Sequence, residues 1–214
     1  FRDLSFSAAN LATLLLYVAI SGVSFYLPMH AIPALGLTEL QMALSYLPIS
    51  VLIAALSAPA GRLADRIGAM PLMVAGSTLV ALAQVALGLT AGLYAHWSVT
   101  VPLLALSGCG MGILVAPLTA AVMQVARDDE QGAASGINNM VARTGGLVAV
   151  ALFGAVSMRA YGPIAAAPPG FGLAAEGTRH LAASARGFAS VAIACGGFAA
   201  AAALVSALWI RRPR

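Results

Sequence analysis

The feature that most constrains the fold is a short polar segment, Gly61–Gly68 (GRLADRIG), between two long apolar runs. The runs cover residues 38–60 and 71–92, and Glu39 is the only charged residue in them. Each run is close to the ~20 residues that a helix needs to cross the hydrocarbon core of a bilayer. A connection this short requires two antiparallel neighbouring helices, and its arginines favour the cytoplasmic side of the membrane.

The composition also predicts a membrane protein. Hydrophobic residues make up 61% of the 214 residues and charged residues only 8%, which is far from the composition of a soluble domain. The basic residues are all arginines and are dispersed among the loops, so the net charge of +4 does not indicate nucleic-acid binding. The expected surroundings are a lipid bilayer. Because the chain begins at Phe1 without a methionine, we expect it to be a piece of a longer protein.

We predict an all-α membrane protein whose residues 1–214 form one bundle of six transmembrane helices. The predicted helices cover residues 6–29, 40–60, 70–92, 97–125, 132–158 and 187–210. The only long loop, 159–185, is expected on the periplasmic side, because its prolines and glycines argue against a buried helix.

The distribution of arginine predicts the orientation. An even number of crossings puts both termini on one side, where seven arginines lie, against three in the opposite loops. The seven are Arg2, Arg62, Arg66, Arg127, Arg211, Arg212 and Arg214, and the three are Arg159, Arg179 and Arg186. The positive-inside rule therefore predicts a multi-pass protein of the plasma (inner) membrane with both termini in the cytoplasm.

The pattern G-x-L-x-D-R-x-G between two membrane helices resembles the signature loop of the major facilitator superfamily of transporters. The fifth apolar segment contains ASGINNMVARTGG at residues 134–146, and the first contains FSAANL at residues 6–11. These segments resemble the carboxy-terminal half of the fourteen-helix multidrug:proton antiporters. The resemblance implies one half of a major facilitator fold, which would need an amino-terminal half as its partner.

The resemblance also implies the function. Major facilitator transporters bind their substrate between two six-helix halves near the membrane midplane. We therefore expect the chain to take part in proton-coupled export of drugs or small organic, mainly hydrophobic, molecules. A metabolite transporter of the same superfamily and a six-helix scaffold or subunit that does not transport remain as alternatives.

Arg143 is the one charged residue predicted near the middle of a helix. Counted from Gly132, it lies roughly 16 Å into the membrane at about 1.5 Å per residue. Inserting an arginine there costs on the order of 2.5–3.5 kcal/mol, so it should face protein or a water-filled cavity. The alternative is a structural arginine that bonds to the carbonyl groups of a neighbouring helix. Asn139 lies one helical turn before Arg143, whereas Asn138 points about 100° away and is the better candidate for an interhelical hydrogen bond.

By analogy with the superfamily, the first, second, fourth and fifth helices face a central cavity. The candidate lining residues are Tyr17, Ser21, Phe25, Ser50, Met111, Asn139 and Arg143. The same residues also suit plain helix packing.

The signature segment is the candidate conformational switch, through Gly61, Asp65, Arg66 and Gly68. Asp65 is expected to cap the following helix and also to pair with an arginine near the cytoplasmic mouth.

Gly108, Gly110 and Gly112 lie inside an apolar helix, without the preceding strand that a dinucleotide-binding motif requires. We interpret them as small residues that let two helices approach closely.

His30, His96 and His180 are predicted at the outer surface, without metal-ligand spacing and without a serine partner inside the membrane. We therefore predict no enzyme, no catalytic residue, no metal site and no cofactor. No aspartate or glutamate falls in the middle of a predicted helix, so the group that couples transport to protons is expected in the missing half.

Overall fold

The computed structural model describes residues 4–124, 131–165, 170–174 and 177–209. The helices are α1 (Leu4–Leu35), α2 (Glu39–Ile67), α3 (Ala69–Thr90), α4 (Val101–Gln124), α5 (Gln131–Ala165) and α6 (Thr178–Trp209). A 3₁₀ turn, Ala91–Leu93, and a π-helical turn, His96–Thr100, connect α3 to α4. The described residues contain no strand. The prediction of an all-α fold with six long apolar helices is confirmed.

The helices are longer than predicted at several ends. The predicted loop 159–185 is wrong at both ends, because α5 continues to Ala165 and α6 already begins at Thr178. Pro163 lies in the last turn of α5, where the carbonyl groups have few intrahelical partners and a helix ends readily. Pro168 and Pro169, on which the loop prediction rested, lie outside the described residues.

The signature segment is not a loop but the end of α2. Its residues are helical up to Ile67, and Gly68 alone separates α2 from α3. Gly68 has a φ of 88° and donates its N–H to the Ala64 carbonyl oxygen over 2.8 Å. A positive φ of this kind is easily reached only by glycine, so Gly68 makes the turn between α2 and α3 possible.

The packing order differs from the chain order. α1, α3 and α6 form the most buried part of the bundle, and α4 packs on α3 while α5 packs on α1 and α6. α2 packs mainly on α4 and is largely exposed along its length. In a bilayer, the apolar residues on the exposed faces of α2 and α5 suit contact with lipid tails or with further apolar helices.

The glycines of α4 allow two of these contacts, as predicted from the sequence. A methyl group at Gly110 would lie 2.6 Å from the Gly76 carbonyl oxygen of α3. A methyl group at Gly108 would lie 2.8 Å from Cα of Ile49, on α2. Small residues are what helices in membranes use for such close approach, and the prediction of a packing role is confirmed.

Candidate functional site

An open groove of about 630 Å³ lies between α1 and α5. It is lined by Ser21, Ser24, Phe25, Arg143, Gly146, Leu147 and Val150. Gly146 widens the groove, because a methyl group there would lie 3.3 Å from Ser21 Oγ. The groove combines an apolar wall with a few polar groups, which is the usual character of a site for small organic molecules.

Arg143 contributes the positive charge of this groove. Its side chain is exposed, and no carboxylate lines the groove beside it. An arginine at this depth is stable only with water or polar groups around it, and the open groove provides access for them. The geometry can hold a ligand that offers a hydrogen-bond acceptor or a negative charge to the guanidinium group.

The two asparagines before Arg143 have different surroundings. Oδ1 of Asn138 lies 2.9 Å from Thr13 Oγ1, which connects α5 to α1. Asn139 is exposed and does not line the groove. Asn138 therefore makes the interhelical contact, whereas a cavity role for Asn139 stays a prediction.

A second, smaller cavity of about 130 Å³ lies where α1, α2, α3 and α4 meet. Ser50 and Met111, both predicted to line a cavity, are found here and not in the groove of Arg143. Ser24 lines both spaces, so the two lie on adjacent sides of α1. Tyr17 is exposed on α1, one turn before Ser21, and lines neither.

Gln84 also lines the smaller cavity and was missed in the sequence. It is 1% exposed, and its Nε2 donates to the Ala19 carbonyl oxygen over 3.2 Å. Its Oε1 is buried and has no hydrogen-bond partner among the described residues. The available signal was a lone amide side chain within the apolar run 71–92, because a buried amide requires partners.

The three histidines are buried inside the protein, whereas their predicted location on the outer side of the membrane stays a prediction. His30, His96 and His180 are 2%, 6% and 7% exposed. They lie at one end of the bundle, near the end of α1 and near the starts of α4 and α6. Their burial could not be read from the sequence, because the side chains that bond to them are distant along the chain.

Each histidine forms a hydrogen bond with a hydroxyl group. The nitrogen–oxygen distances are 2.9 Å for His30 and Ser184, 2.7 Å for His96 and Ser45, and 2.7 Å for His180 and Tyr161. Two histidines therefore have serine partners, which the sequence did not reveal. Ser184 and Ser45 are at most 1% exposed, which leaves no path for a substrate, so these pairs have the geometry of structural bonds and not of an activated nucleophile.

The bond between His96 and Ser45 fixes the imidazole tautomer. Ser45 Oγ lies 2.8 Å from the Gln41 carbonyl oxygen, which can only accept a proton. Because a serine hydroxyl has one proton, Ser45 donates to Gln41 and accepts from His96 Nε2–H. Nδ1 of His96 is then an acceptor, and it has no partner among the described residues.

The predicted switch residues lie at the other end of the bundle. Asp65 and Arg66 are exposed in the last turn of α2. Gly61 faces α4, where a methyl group added to it would lie 3.6 Å from Cβ of Ala116, an ordinary van der Waals contact.

The expected capping of the next helix by Asp65 was wrong, because Gly68 is the residue before α3 and no side chain caps that helix. Asp65 itself belongs to the last turn of α2. Arg127, a possible ion-pair partner, lies outside the described residues.

Six apolar helices of membrane-spanning length among the described residues are those of a multi-pass membrane protein. The family model of the Major Facilitator Superfamily matches residues 1–150. The chain belongs to this superfamily, and the recognition made from the signature segment is confirmed. Its six helices correspond to one half of the superfamily fold.

Curated relatives are drug-resistance proteins. The chain is 27% identical over 156 residues to the methylenomycin A resistance protein of Streptomyces coelicolor. The aligned residues make up 73% of this chain and 33% of that protein. It is 29% identical over 159 residues to the multidrug resistance protein Stp of Mycobacterium tuberculosis. Here the aligned residues make up 73% of this chain and 29% of the length of that protein. The matched region thus spans about a third of the length of these relatives.

Proposed function

We propose that the chain is the carboxy-terminal half of a secondary transporter that exports drugs or small organic molecules in exchange for protons. The observation that carries this proposal is the groove between α1 and α5, in which Arg143 is exposed on a mainly apolar wall. The resistance proteins among its relatives support drugs as the substrate class. The expected location is the plasma (inner) membrane, with both termini in the cytoplasm.

The groove supports transport because it is open on one side. Major facilitator transporters close such a surface with the second half of the protein and alternate its access between the two sides of the membrane. The missing half would complete the cavity around Arg143 and provide the carboxylate that binds the proton. No aspartate or glutamate lines either cavity of the described residues, which supports the assignment of proton binding to that half.

The test is reconstitution of the complete gene product in liposomes that contain a pH-sensitive dye. Addition of a transported drug should release protons at a rate that depends on drug concentration, and an imposed proton gradient should drive drug movement. A panel of hydrophobic drugs and of polar metabolites distinguishes the two transporter hypotheses. Proton-linked movement of polar metabolites alone would support the metabolite transporter in place of the drug exporter. If neither class of compound moved, the result would favour a scaffold that does not transport.

The same assay gives a prediction for the 214-residue chain by itself. We expect this chain to insert into liposomes but to show no substrate-dependent proton movement, because it provides one side of the cavity and no membrane carboxylate. Circular dichroism of the liposomes checks that the helices have formed. Proton movement that depends on substrate and requires only this chain would contradict the proposal that the other half provides the carboxylate that binds the proton.

A further inference from the structure

The groove of Arg143 has two unlike parts, and both constrain the ligand that it can hold. One part is the guanidinium group of Arg143, and the other is a mainly apolar wall with Phe25, Leu147 and Val150. These three apolar side chains are exposed, so they are accessible to a ligand. Val150 follows Arg143 by two turns of α5, which is ~10 Å along a helix.

Two hydrogen bonds between α1 and α5 hold this groove in shape. Thr13 bonds to Asn138 before the groove begins, and the Tyr26 hydroxyl group donates to the Val150 carbonyl oxygen at its far end. Ser21 lies between Thr13 and Tyr26 on α1 and lines the groove. The distance between the two helices is therefore set within this chain, on both sides of the exposed residues.

The guanidinium group has no counter-charge in the described part of the chain. Arg143 forms no hydrogen bond or ion pair there, and it is the only charged residue that lines the groove. The described residues of α5, and of the helices α1, α4 and α6 that pack on it, include no aspartate or glutamate. The described acidic residues, Glu39 and Asp65, both lie on α2.

These observations select the charge and the shape of a ligand. A carboxylate can accept two parallel N–H bonds from a guanidinium group, and such bonds are stronger away from water. A cation would face a charge of its own sign, which disfavours its binding. A small inorganic anion would leave the apolar wall without a contact, so the ligand needs an apolar body as well as a negative charge.

We propose that the groove of Arg143 binds an amphiphilic organic monoanion. Its carboxylate bonds to the guanidinium group, and its apolar body, roughly 10 Å long, lies along Phe25, Leu147 and Val150. This inference rests on the proposed function, since it names the substrate class of the same groove.

The depth of Arg143 favours a free organic acid over the headgroup of a membrane lipid. Arg143 lies ~18 Å along α5 from its first residue, Gln131. This position is well inside a hydrocarbon core about 30 Å thick, whereas lipid phosphates lie at the bilayer surface. A small organic acid can enter the groove and bring its carboxylate to this depth.

The experiment compares three probes that share one apolar body: 4-(4-fluorophenyl)butyrate, its primary amide and 4-(4-fluorophenyl)butylamine. Their binding to the purified complete gene product is measured by fluorine NMR at neutral pH in an uncharged detergent. Empty micelles provide the reference for partitioning. The wild-type protein should bind the carboxylate at least tenfold more tightly than the amide, and the protonated amine no more tightly than the amide.

Variants separate the charge of the groove from its apolar wall. Arg143→Gln should reduce the preference for carboxylate over amide to less than threefold, and Arg143→Lys, which keeps the charge, should have an intermediate preference. Arg186→Gln is the matched control, because Arg186 is an exposed arginine of α6 that does not line the groove, and it should keep the full preference. Leu147→Ser should weaken carboxylate and amide by the same factor, at least threefold, and leave their ratio unchanged. Thermal unfolding identifies any variant that has lost its fold, and the comparison of probes on the wild-type protein does not depend on any variant.

Equal binding of carboxylate and amide to the wild-type protein, or tighter binding of the amine, would overturn the proposal. A preference that persists in Arg143→Gln, or that is lost equally in Arg186→Gln, would place the acid elsewhere and also overturn it. Phosphatidylglycerol added to the micelles should not displace the carboxylate. Displacement would make Arg143 a site for lipid headgroups and contradict the proposal.

The binding measurement is independent of transport, so the two hypotheses can fail separately. If the protein binds the carboxylate as predicted but moves no drug, the anion site stands and export is refuted. If the protein exports drugs but shows no preference for the carboxylate, export stands and the proposed substrate class is refuted.

Discussion

At the scale of single residues, some polar side chains of this bundle bond to a residue of another helix, whereas others line an open groove. His96 and its bond to Ser45 are of the first kind, whereas Arg143 is of the second. This division matters because an unpaired polar group in the interior of a membrane protein costs several kcal/mol. Polar residues without a protein partner are therefore the ones to examine for ligand binding.

The bond between His96 and Ser45 is expected to stabilise the end of the bundle at which α3 leads to α4. Ser45→Ala removes the acceptor of His96 Nε2–H and leaves both ring nitrogens of a buried imidazole unpaired. We expect the variant to lose about 1–3 kcal/mol of unfolding free energy. Thermal or denaturant unfolding of the complete protein in detergent measures the change.

Ser50→Ala is the matched control for this prediction. Ser50 lies on the same helix, is exposed and has no hydrogen bond among the described residues, so its loss should change the stability by less than about 0.5 kcal/mol. If Ser45→Ala unfolds at the same temperature as Ser50→Ala, the buried bond to His96 has no stabilising role.

At the scale of the elements, much of the fold can be predicted from the sequence because each helix has an apolar run of membrane-spanning length. The signature segment predicted a short connection between two helices, and α2 and α3 do join at Gly68, although the segment is helical up to Ile67. The expectation that these two helices are packed neighbours was wrong, because α2 packs mainly on α4 and α3 packs on α4 and α6. The helix ends were less predictable, since Thr178 to Ala185 is helical without the continuous apolar run that marks a membrane crossing.

The candidate site could be predicted only in part, because a sequence shows which residues are unusual but not which residues meet in the fold. Arg143 stands out in the sequence because a charge inside an apolar helix is costly, and it does lie in a groove. Gln84 and the histidines do not stand out, because their significance depends on residues that come close only in the folded bundle. The bond between His30 and Ser184, for example, joins residues that are 154 positions apart.

The close contact between α3 and α4 gives a prediction for helix packing. Gly110→Ala places a methyl group 2.6 Å from the Gly76 carbonyl oxygen, so the two helices must move apart. We expect a loss of about 1–3 kcal/mol of stability from this overpacking. Gly197→Ala on α6 is the control, because nothing lies within 4 Å of the added methyl group.

The measurement is the melting temperature of each purified variant, together with its yield in the membrane fraction. Gly110→Ala should melt well below the wild-type protein, whereas Gly197→Ala should melt within a few degrees of it. Two variants that melt alike would show that α3 and α4 can separate at no cost, and the close-packing interpretation would fail.

At the scale of the whole molecule, the described residues form one helical bundle with its two ends on opposite sides of the membrane. Gly68 marks the end at which α2 joins α3, and Tyr94 marks the end at which α3 leads to α4. The arginine count predicts that the Gly68 end is cytoplasmic. In this orientation the histidine bonds lie at the outer end, and the groove of Arg143 lies between the two ends.

This orientation can be checked by cysteine labelling in intact cells. In a background where Cys109 and Cys195 are replaced by alanine, Tyr94→Cys should react with a membrane-impermeant maleimide, because Tyr94 is exposed at the outer end. Arg66→Cys should react only after the cells are permeabilised. The opposite pattern would invert the assigned topology, and with it the sides on which the histidines and the signature segment lie.

The central claim is that Arg143 lines the substrate cavity of an exporter, and the most direct test measures transport and folding for the same variant. In the complete protein, Arg143→Ala should reduce drug efflux at least tenfold, with a melting temperature within a few degrees of the wild-type value. Arg143→Lys should keep part of the activity, and Arg186→Ala, at an exposed arginine of α6, should keep all of it. Wild-type efflux by Arg143→Ala, or a loss of efflux that matches the loss of folded protein, would contradict the account.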